Sequence, residues 1–129
     1  PSETEWEAAA RTTAANLYPW GNEISAGRAN LENEGQADTT AVDHYKEGAN
    51  ALGICDCLGN VMEWTLDSFD DERDPHILKG GSWMSNVDFC NNVTPCMAYP
   101  PTKRMEFVGL RLLYLPKDLY LEYKNSHSQ

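Results

Sequence analysis

Residues 53–65, with the sequence GICDCLGNVMEWT, are the stretch that decides the fold of this chain. The second half of this stretch has the composition of a short, buried strand. We therefore predict a strand over residues 60–66, with Trp64 directed into the core. The acidic residues that follow, Asp67–Pro75, predict a loop.

Two more stretches downstream have strand composition. Ile77–Trp83 predicts a strand, but Gly80 and Gly81 interrupt it and indicate a bulge or a close approach of the backbone to another segment. Phe107–Leu115 is rich in Val, Leu and Tyr and predicts the clearest strand of the chain.

Upstream of the deciding stretch, the sequence predicts one helix and then a long loop. Ser2–Glu5 is a capping box, and apolar side chains recur on one face from Trp6 onward, which predicts a helix to about Ala15. The turn Tyr18–Asn22 holds two large aromatic rings, which usually anchor a core. Residues 22–50 show little periodicity, and so long a structureless stretch is unusual in a compact domain. Something other than secondary structure, such as a metal ion, is needed to hold it.

The composition limits the classes of function. A chain of 129 residues with four tryptophans is a globular domain with a real core. A net charge of −10 argues against a nucleic-acid surface, which needs clustered Lys and Arg. Apolar runs are too short to cross a bilayer. The acidity is compatible with calcium binding, and equally with an ordinary solvated acidic surface.

Four cysteines, Cys55, Cys57, Cys90 and Cys96, occur in the chain. Their spacings fit none of the patterns of zinc sites. Cys55 and Cys57 lie too close along an extended chain to bridge each other comfortably. The cysteines therefore leave the redox compartment open.

Five motifs, in order over residues 1–111, resemble those of the formylglycine-generating-enzyme (sulfatase-modifying-factor) superfamily. The resemblance implies an irregular, loop-rich α+β fold related to C-type lectins. The motifs, each followed by the family pattern, are SETEWEAAAR at 2–11 (PTEAEWEYAAR), YPWGNE at 18–23 (YPWGNE), GICDCLGNVMEWT at 53–65 (GLYDMAGNVWEWT), KGGSW at 79–83 (RGGSW) and VGLR at 108–111 (GFR).

The resemblance begins inside a family motif and so implies only the C-terminal half of a typical domain. We expect residues 1–115 to form that part and residues 116–129 to be a tail, weakly amphipathic and disordered at its end. The expected partner is a protein or peptide, either the other half of the domain or a larger complex. We expect neither a nucleic-acid partner nor a membrane span.

The resemblance also implies calcium as a cofactor, at two sites. The first site uses the side chains of Asp56 and Glu63 and the carbonyls of Gly59 and Val61, which a tight turn brings onto one hard cation. Alternatively, Asp56 caps the turn and Glu63 forms a buried ion pair. The second site uses Asn30, the Leu31 carbonyl, Glu34 and the Gln36 carbonyl, and its alternative is a solvated acidic loop.

Catalysis in this family uses copper(I) held by two cysteine thiolates near a serine. Carried onto this chain, the serine is Ser82 and the second copper cysteine is Cys90. The first copper cysteine falls on Ser85, whose hydroxyl cannot replace a thiolate, and Cys96 is the nearby alternative. Copper is therefore not expected. For Cys90 and Cys96, burial as small apolar residues or a disulfide is the alternative reading.

Two other branches of the superfamily offer further interpretations. One makes sulfoxides of histidine derivatives with iron held by an upstream domain, and the histidines of this chain lack the spacing of an iron site. The other is non-catalytic and uses the fold as a binding platform. In every branch the ligand face lies between Trp83 and Lys103, although an ordinary surface loop is the alternative. Its candidate ligand-binding residues are Trp83, Ser85, Asn86, Asp88, Asn91 and Tyr99.

The sequence therefore predicts a divergent member of the superfamily that acts as a binding or accessory module. An oxidoreductase of the same superfamily, either a formylglycine-generating oxidase or a sulfoxide-synthase-like domain, is the alternative.

Overall fold

The computed structural model describes residues 1–32, 34–70, 74–92 and 97–126. Within these ranges, two helices and four short strands, with 3-10 turns at Lys46–Gly48 and Val87–Phe89, are joined by long loops. This arrangement confirms the predicted irregular α+β class. Cys96 and His127 lie outside the described residues. The helices and strands are α1 Glu3–Arg11, β1 Met62–Ser68, β2 His76–Lys79, β3 Met97–Tyr99, β4 Val108–Gly109 and α2 Lys117–Ser126.

The four strands form one mixed sheet in the order β3-β2-β1-β4. β1 pairs antiparallel with β2, where Trp64 lies opposite Leu78, and β2 pairs antiparallel with β3. β4 is an edge strand that pairs in parallel with the start of β1, where Val108 lies opposite Met62. A parallel pair requires a crossover, which the chain makes through β2 and β3.

The strand predicted at residues 60–66 exists, with later bounds, as β1. Its more buried face carries Glu63 and Thr65, whereas Trp64 is only half-buried. Trp64 is therefore less completely buried than predicted, with an intermediate exposure. A polar contact helps to order this face, because the Thr65 hydroxyl donates a hydrogen bond of 3.0 Å to the Ile77 carbonyl.

β2 ends at Lys79, earlier than the predicted strand, because Gly80 and Gly81 adopt left-handed φ angles of 90° and 71°. A Cβ atom on Gly81 would lie 2.8 Å from Cys90 Sγ. The close backbone approach predicted from the glycine pair is confirmed, and it brings the segment after β2 against Cys90.

The long strand predicted over Phe107–Leu115 is wrong beyond its first residues, since β4 contains only Val108 and Gly109. A Cβ atom on Gly109 would lie 2.8 Å from Val61 Cγ2, so the pairing with β1 depends on glycine there. After Gly109, the Arg111 side chain bonds to Glu63, and the backbone leaves the sheet.

The N-terminal helix begins as predicted and ends early. Ser2 and Glu5 form both hydrogen bonds of the capping box. The helix stops at Arg11 and not near Ala15, because Thr12 takes a φ of 58° and Arg11 donates a hydrogen bond to the Ala15 carbonyl. Trp6 and Ala10 are buried on the inner face of α1, against Cys57.

Buried asparagine side chains hold the loop of residues 22–50. Asn60 accepts a hydrogen bond from the Thr40 backbone N–H at 2.9 Å and donates one to the Thr40 carbonyl at 3.3 Å. Asn30 donates to the Asp38 carbonyl at 2.9 Å, and the Asn30 carbonyl accepts from the Asn60 N–H at 2.9 Å. These bonds are an interaction other than secondary structure that holds the loop, which a stretch of this length requires.

Asn50 ties the end of this loop to α1. Its amide donates to the carbonyls of Ala9 and Ala10, and its oxygen accepts from the N–H groups of Leu52 and Ile54. Because one buried side chain satisfies four backbone groups, the loop packs on the helix without a further strand.

Among the described residues, the buried apolar side chains form two small clusters. One contains Ala29, Leu31, Leu58 and Cys90, with Tyr18 and Trp20 packed against it, as expected for the aromatic turn. The other contains Trp6, Ala10 and Cys57. Within the described part of the chain, we find no helix with the length and apolar character of a membrane span. The predicted tail contains α2, whose Leu119, Tyr120 and Leu121 are exposed.

Candidate functional site

A cavity of about 300 Å³ opens beside the loop that follows β2. The glycine pair turns the chain at the end of β2, so that Ser82 becomes fully buried and the 3-10 turn Val87–Phe89 leads to the buried Cys90. The cavity is lined by Ser82, Ser85, Asn86 and Cys90 on its polar side and by Met62, Met84, Phe89, Met97 and Phe107 on its apolar side. Most of its surface is therefore carbon and sulfur.

The two serine hydroxyls are part of the loop's own hydrogen bonding. Ser85 Oγ accepts a hydrogen bond of 2.9 Å from the Ser82 N–H, and the two hydroxyl oxygens lie 3.3 Å apart. Ser82 Oγ also accepts from the Met84 N–H at 3.3 Å. Among the described residues that line the cavity, Cys90 is the only ionisable one. The cavity thus supplies a thiol and hydroxyls, but none of its described residues is a general base.

The structure brings only some of the predicted ligand-binding residues together. Ser85 and Asn86 line the cavity with Ser82 and Cys90, whereas Trp83 faces a neighbouring cavity of about 350 Å³. Asp88, Asn91 and Tyr99 line neither of the two. Tyr99 lies close by, since its hydroxyl donates to Met97 Sδ at 3.2 Å.

Sequence reasoning missed the apolar wall of this cavity. Met62 at the start of β1, Met97 in β3 and Phe107 before β4 reach it from three separate segments. Met84 separates it from the cavity at Trp83 and lines both. The available signal was the number of methionines, since three of the four in the chain line one cavity.

The first predicted calcium loop surrounds another cavity, of about 410 Å³. Asp56, Val61 and Glu63 line it, together with Asp43, whereas Gly59 does not. Gly59 instead packs on the upstream loop, because a Cβ atom there would lie 2.4 Å from the Asn30 carbonyl oxygen. The structure therefore gathers the two predicted carboxylates of this site around one space.

Glu63 is already engaged in a buried ion pair. The Arg111 guanidinium binds both carboxylate oxygens, with Nε 2.8 Å from Oε2 and Nη2 2.7 Å from Oε1. Trp6 Nε1 donates a further bond of 2.6 Å to Oε2. Burial opposes the charge of Arg111, but its hydrogen bond and attraction to Glu63 raise its pKa above the ordinary value. A cation bound by Glu63 has to compete with this pair.

Each predicted calcium loop contains one buried oxygen that lacks a hydrogen-bond partner among the described residues. In the first loop it is Asp56 Oδ1, while Oδ2 accepts from the Asp43 N–H at 3.0 Å. In the second loop it is Asn30 Oδ1, which the backbone covers so closely that a Cβ atom on Gly35 would lie 1.9 Å away. Buried oxygens without partners fit hard cations.

The other predicted ligands of the second calcium loop are used differently. Glu34 Oε2 accepts from the Gly27 N–H at 3.2 Å, and the Leu31 carbonyl accepts from the Glu34 and Gly35 N–H groups. Gln36 and Leu31 line the cavity beside Trp83. Asp38, which sequence reasoning did not single out, reaches Asn30 through its carbonyl.

Side-chain ligands alone do not form a metal site in the described ranges. Three or more His, Cys, Asp or Glu side chains that could hold a metal ion are not found together there. Amide and carbonyl oxygens, on which both calcium loops depend, lie outside that set of ligands. Burial raises the pKa of the Cys57 thiol from 9.0 to about 12, while the charge of Arg111 lowers it and the charges of Glu63 and Asp56 raise it further.

Comparison with known proteins identifies the scaffold. The model of the sulfatase-modifying factor enzyme 1-like domain matches residues 1–115. The inactive C-alpha-formylglycine-generating enzyme 2 of Bos taurus is 32% identical over 127 residues, which cover 86% of this chain and 42% of that protein. The formylglycine-generating enzyme of Streptomyces coelicolor is 31% identical over 120 residues. That alignment covers 70% of this chain and 38% of the Streptomyces protein.

A solved structure gives the same result for the fold. PvdO from Pseudomonas aeruginosa superposes with a TM-score of 0.72 at 24% identity, over 84% of this chain and 49% of PvdO. The chain thus spans about two fifths of the two relatives and about half of this structure.

Proposed function

We propose that this chain, which belongs to the sulfatase-modifying factor enzyme 1-like domain family, serves as a non-catalytic binding or accessory module. The observation that carries the proposal is the presence of serine, and not cysteine, at position 85. By the resemblance to the family, Ser85 stands at the position of a copper-binding cysteine. Its hydroxyl oxygen accepts a hydrogen bond from the Ser82 backbone N–H. A hydroxyl is a hard ligand, and copper(I) prefers soft thiolates. A relative named as inactive is among the similar proteins.

An anaerobic copper(I) titration tests the non-catalytic part of the proposal. We expect weak binding by the wild-type chain and tight, stoichiometric binding by Ser85→Cys, which restores the second thiolate beside Cys90. Stoichiometric binding by the wild-type chain that disappears in Cys90→Ser would overturn the proposal. The Cys96→Ser variant, tested in parallel, reports whether the other predicted sulfur ligand takes part.

The apolar cavity supports a binding role. We propose that it accepts an apolar side chain of a protein or peptide partner, because its volume of about 300 Å³ and its thioether and phenyl groups suit such a group. The serine hydroxyls and Asn86 at its polar side offer hydrogen bonds to a peptide backbone.

Methyl NMR of the four methionines measures this binding with a control inside the molecule. N-acetyl-leucinamide should shift the signals of Met62, Met84 and Met97, which line the cavity, and leave that of Met105 unchanged. N-acetyl-lysinamide serves as the polar control. Equal responses of all four methionines, or none at millimolar probe, would contradict the assignment of the cavity as a binding site.

An oxidoreductase of the same family is the second candidate. Cys90 and Ser82 line one cavity, as the resemblance to catalytic members requires. The relatives also include a formylglycine-generating enzyme. The copper titration distinguishes this candidate from the first, since a catalytic copper site needs a second soft ligand in the wild-type chain.

We also propose calcium as a structural cofactor of the two loops. The buried oxygens Asn30 Oδ1 and Asp56 Oδ1 support it, since each lacks a partner among the described residues. The ion would neutralise the carboxylates around Asp56 and hold loops that have little regular structure. Glu63 would join the ligands only by leaving Arg111, so Asp56 and Asn30 are the residues to test first.

A further inference from the structure

The loop between β1 and β2 contains the one Asp–Pro peptide bond of the sequence, between Asp74 and Pro75. Backbone hydrogen bonds hold this bond on both sides. The Asp74 N–H donates to the Asp70 carbonyl at 2.8 Å, and the Pro75 carbonyl accepts from the Phe69 N–H at 2.8 Å. The fold therefore fixes the position of a peptide bond that is chemically labile.

The backbone of Asp74 is strained at this bond. Its φ of 50° lies in the left-handed region, which residues with a Cβ atom adopt only at a cost. The proline that follows restricts the backbone further, because its ring crowds the preceding residue. Cleavage of the bond would release both constraints, so the strain favours cleavage.

An imidazole lies beside the carboxylate of Asp74. His76 Nδ1 is 3.0 Å from the Thr65 carbonyl oxygen, which can only accept, so Nδ1 carries a hydrogen and donates it. His76 Nε2 lies 3.4 Å from Asp74 Oδ1. When the ring is protonated, Nε2 holds its hydrogen next to that carboxylate. The Asp74 side chain is 66% exposed, so water also reaches the site.

We propose that the Asp74–Pro75 bond is a self-cleavage site, at which the Asp74 carboxylate cuts the chain. One carboxylate oxygen attacks the carbonyl carbon of the same residue, and the C–N bond to Pro75 breaks. The Pro75 nitrogen leaves with the bonding electron pair and takes a proton from the His76 imidazolium, so that a cyclic anhydride forms on Asp74. Water then opens the anhydride to a C-terminal aspartate with two carboxylates. The protons released return to the imidazole and to the new amino group, and neither an oxidant nor a reductant is needed.

Proline at position 75 directs the reaction toward cleavage. Where another residue follows aspartate, its backbone nitrogen can attack the side-chain carboxyl group and close a ring without breaking the chain. Pro75 has no backbone N–H, so this competing ring closure is blocked. Attack by the carboxylate on the backbone carbonyl remains as the route by which the side chain reacts with its own main chain.

The two pieces would stay assembled after cleavage. Residues 1–74 contain α1 and β1, and residues 75–129 contain the other three strands and α2. Since β1 pairs with both β2 and β4, the cut opens the loop and leaves the sheet intact. None of the residues at this bond lines the cavity at Ser82, so the proposal is independent of the proposed binding function.

The test follows the purified chain in mildly acidic buffer by intact-mass spectrometry. Two pieces should appear, residues 1–74 and residues 75–129, whose combined mass exceeds that of the intact chain by one water. A synthetic peptide of residues 66–80 contains the same bond without the fold and is the reference. We expect the folded chain to be cleaved faster than the peptide by roughly tenfold or more, because strain and a placed proton donor both act only in the fold.

Three variants assign the roles of the side chains. Asp74→Asn removes the attacking carboxylate and should abolish cleavage. His76→Gln should slow it, whereas His44→Gln, in the upstream loop, is the matched control and should be cleaved at the rate of the wild type. Circular dichroism checks that each variant is folded.

The outcomes separate self-cleavage from ordinary lability. Faster cleavage in the folded chain than in the peptide, lost in Asp74→Asn, supports the proposal. A rate in the folded chain equal to or below that of the peptide overturns it, because the fold then contributes nothing. Cleavage that persists in Asp74→Asn also overturns it and indicates a contaminating protease. An unchanged rate in His76→Gln overturns the assignment of the proton donor.

Discussion

The loop of residues 22–50 and the segment of residues 110–115 differ in how their backbones are hydrogen-bonded. The described residues of the loop contain one 3-10 turn, but the buried amides of Asn30 and Asn60 bind the loop backbone, and the amide of Asn50 binds the loop to α1. The second segment has strand composition, but its backbone binds no other described residue. A buried side chain can therefore serve as a hydrogen-bond partner for the backbone as well as a neighbouring strand can.

The largest expected effect comes from Arg111→Met, which removes the ion pair between residues 110–115 and β1. The change leaves the Glu63 carboxylate buried beside Trp6 without its counter-ion. We expect a loss of about 4 kcal/mol in the free energy of unfolding, measured by urea denaturation. The double variant Glu63→Gln with Arg111→Met should lose less than the single variant, and an equal loss would show that the ion pair is not the cause.

Asn60→Ala should weaken the loop of residues 22–50 by about 3 kcal/mol, because it leaves the N–H and C=O of Thr40 without partners. Asn60 has a φ of 62°, which alanine adopts only with strain and glycine adopts freely. Asn60→Gly therefore removes the hydrogen bonds without the strain, and it should lower the free energy of unfolding by less than Asn60→Ala does. Asn22→Ala removes one exposed hydrogen bond to Leu17 and is the control. Similar losses for Asn60→Ala and Asn22→Ala would contradict the role of the buried amide.

Calcium removal should have a smaller, concentration-dependent effect on the two proposed calcium loops, around Asn30 and around Asp56. At a free calcium concentration about 100 times Kd, bound ion contributes about 2.7 kcal/mol, so chelation should lower Tm. The variant Asp56→Asn should reduce this dependence, and Asp88→Asn, in an exposed position, should not. A Tm that is the same with calcium and with chelator would eliminate both proposed calcium loops.

Much of the scaffold follows from local signals in the sequence. The capping box at Ser2–Glu5 fixes the start of α1, and the glycine pair at residues 80–81 fixes the turn after β2. Both depend on the backbone preferences of a few adjacent residues. The polar side of the cavity, with Ser82, Ser85 and Cys90, was also predicted, through the resemblance to the family.

The remaining features depend on contacts between residues far apart in the chain. The hydrogen bonds from Asn60 to Thr40 and from Asn50 to α1 leave no periodic pattern in the sequence. The apolar wall of the cavity forms only when β1, β3 and Phe107 meet. The strand predicted over Phe107–Leu115 failed because composition gives the preference of a segment and not the presence of a neighbour.

The smallest expected effect is that of Tyr114→Asp on the isolated chain. Because this side chain is exposed and its backbone binds no described residue, the free energy of unfolding should change by less than about 0.5 kcal/mol. Thermal unfolding of the wild type and the variant measures it. A large loss would mean that residues 110–115 are packed more firmly in solution than the structure indicates.

The buried thiol of Cys57 can report how often the surrounding part of the protein opens. With a pKa of about 12 in the folded chain, against 9.0 for an ordinary thiol, Cys57 is almost fully protonated at pH 8. Because Cys57 is 2% exposed and packs against Trp6 and Ala10, an alkylating reagent can reach it only when α1 separates from it. Between pH 9 and 12 the unfolded thiol ionises first, so alkaline solution should favour that separation. The rate at which the reagent labels Cys57, compared with the rate for the partly exposed Cys55, would measure how often α1 separates from the rest of the protein.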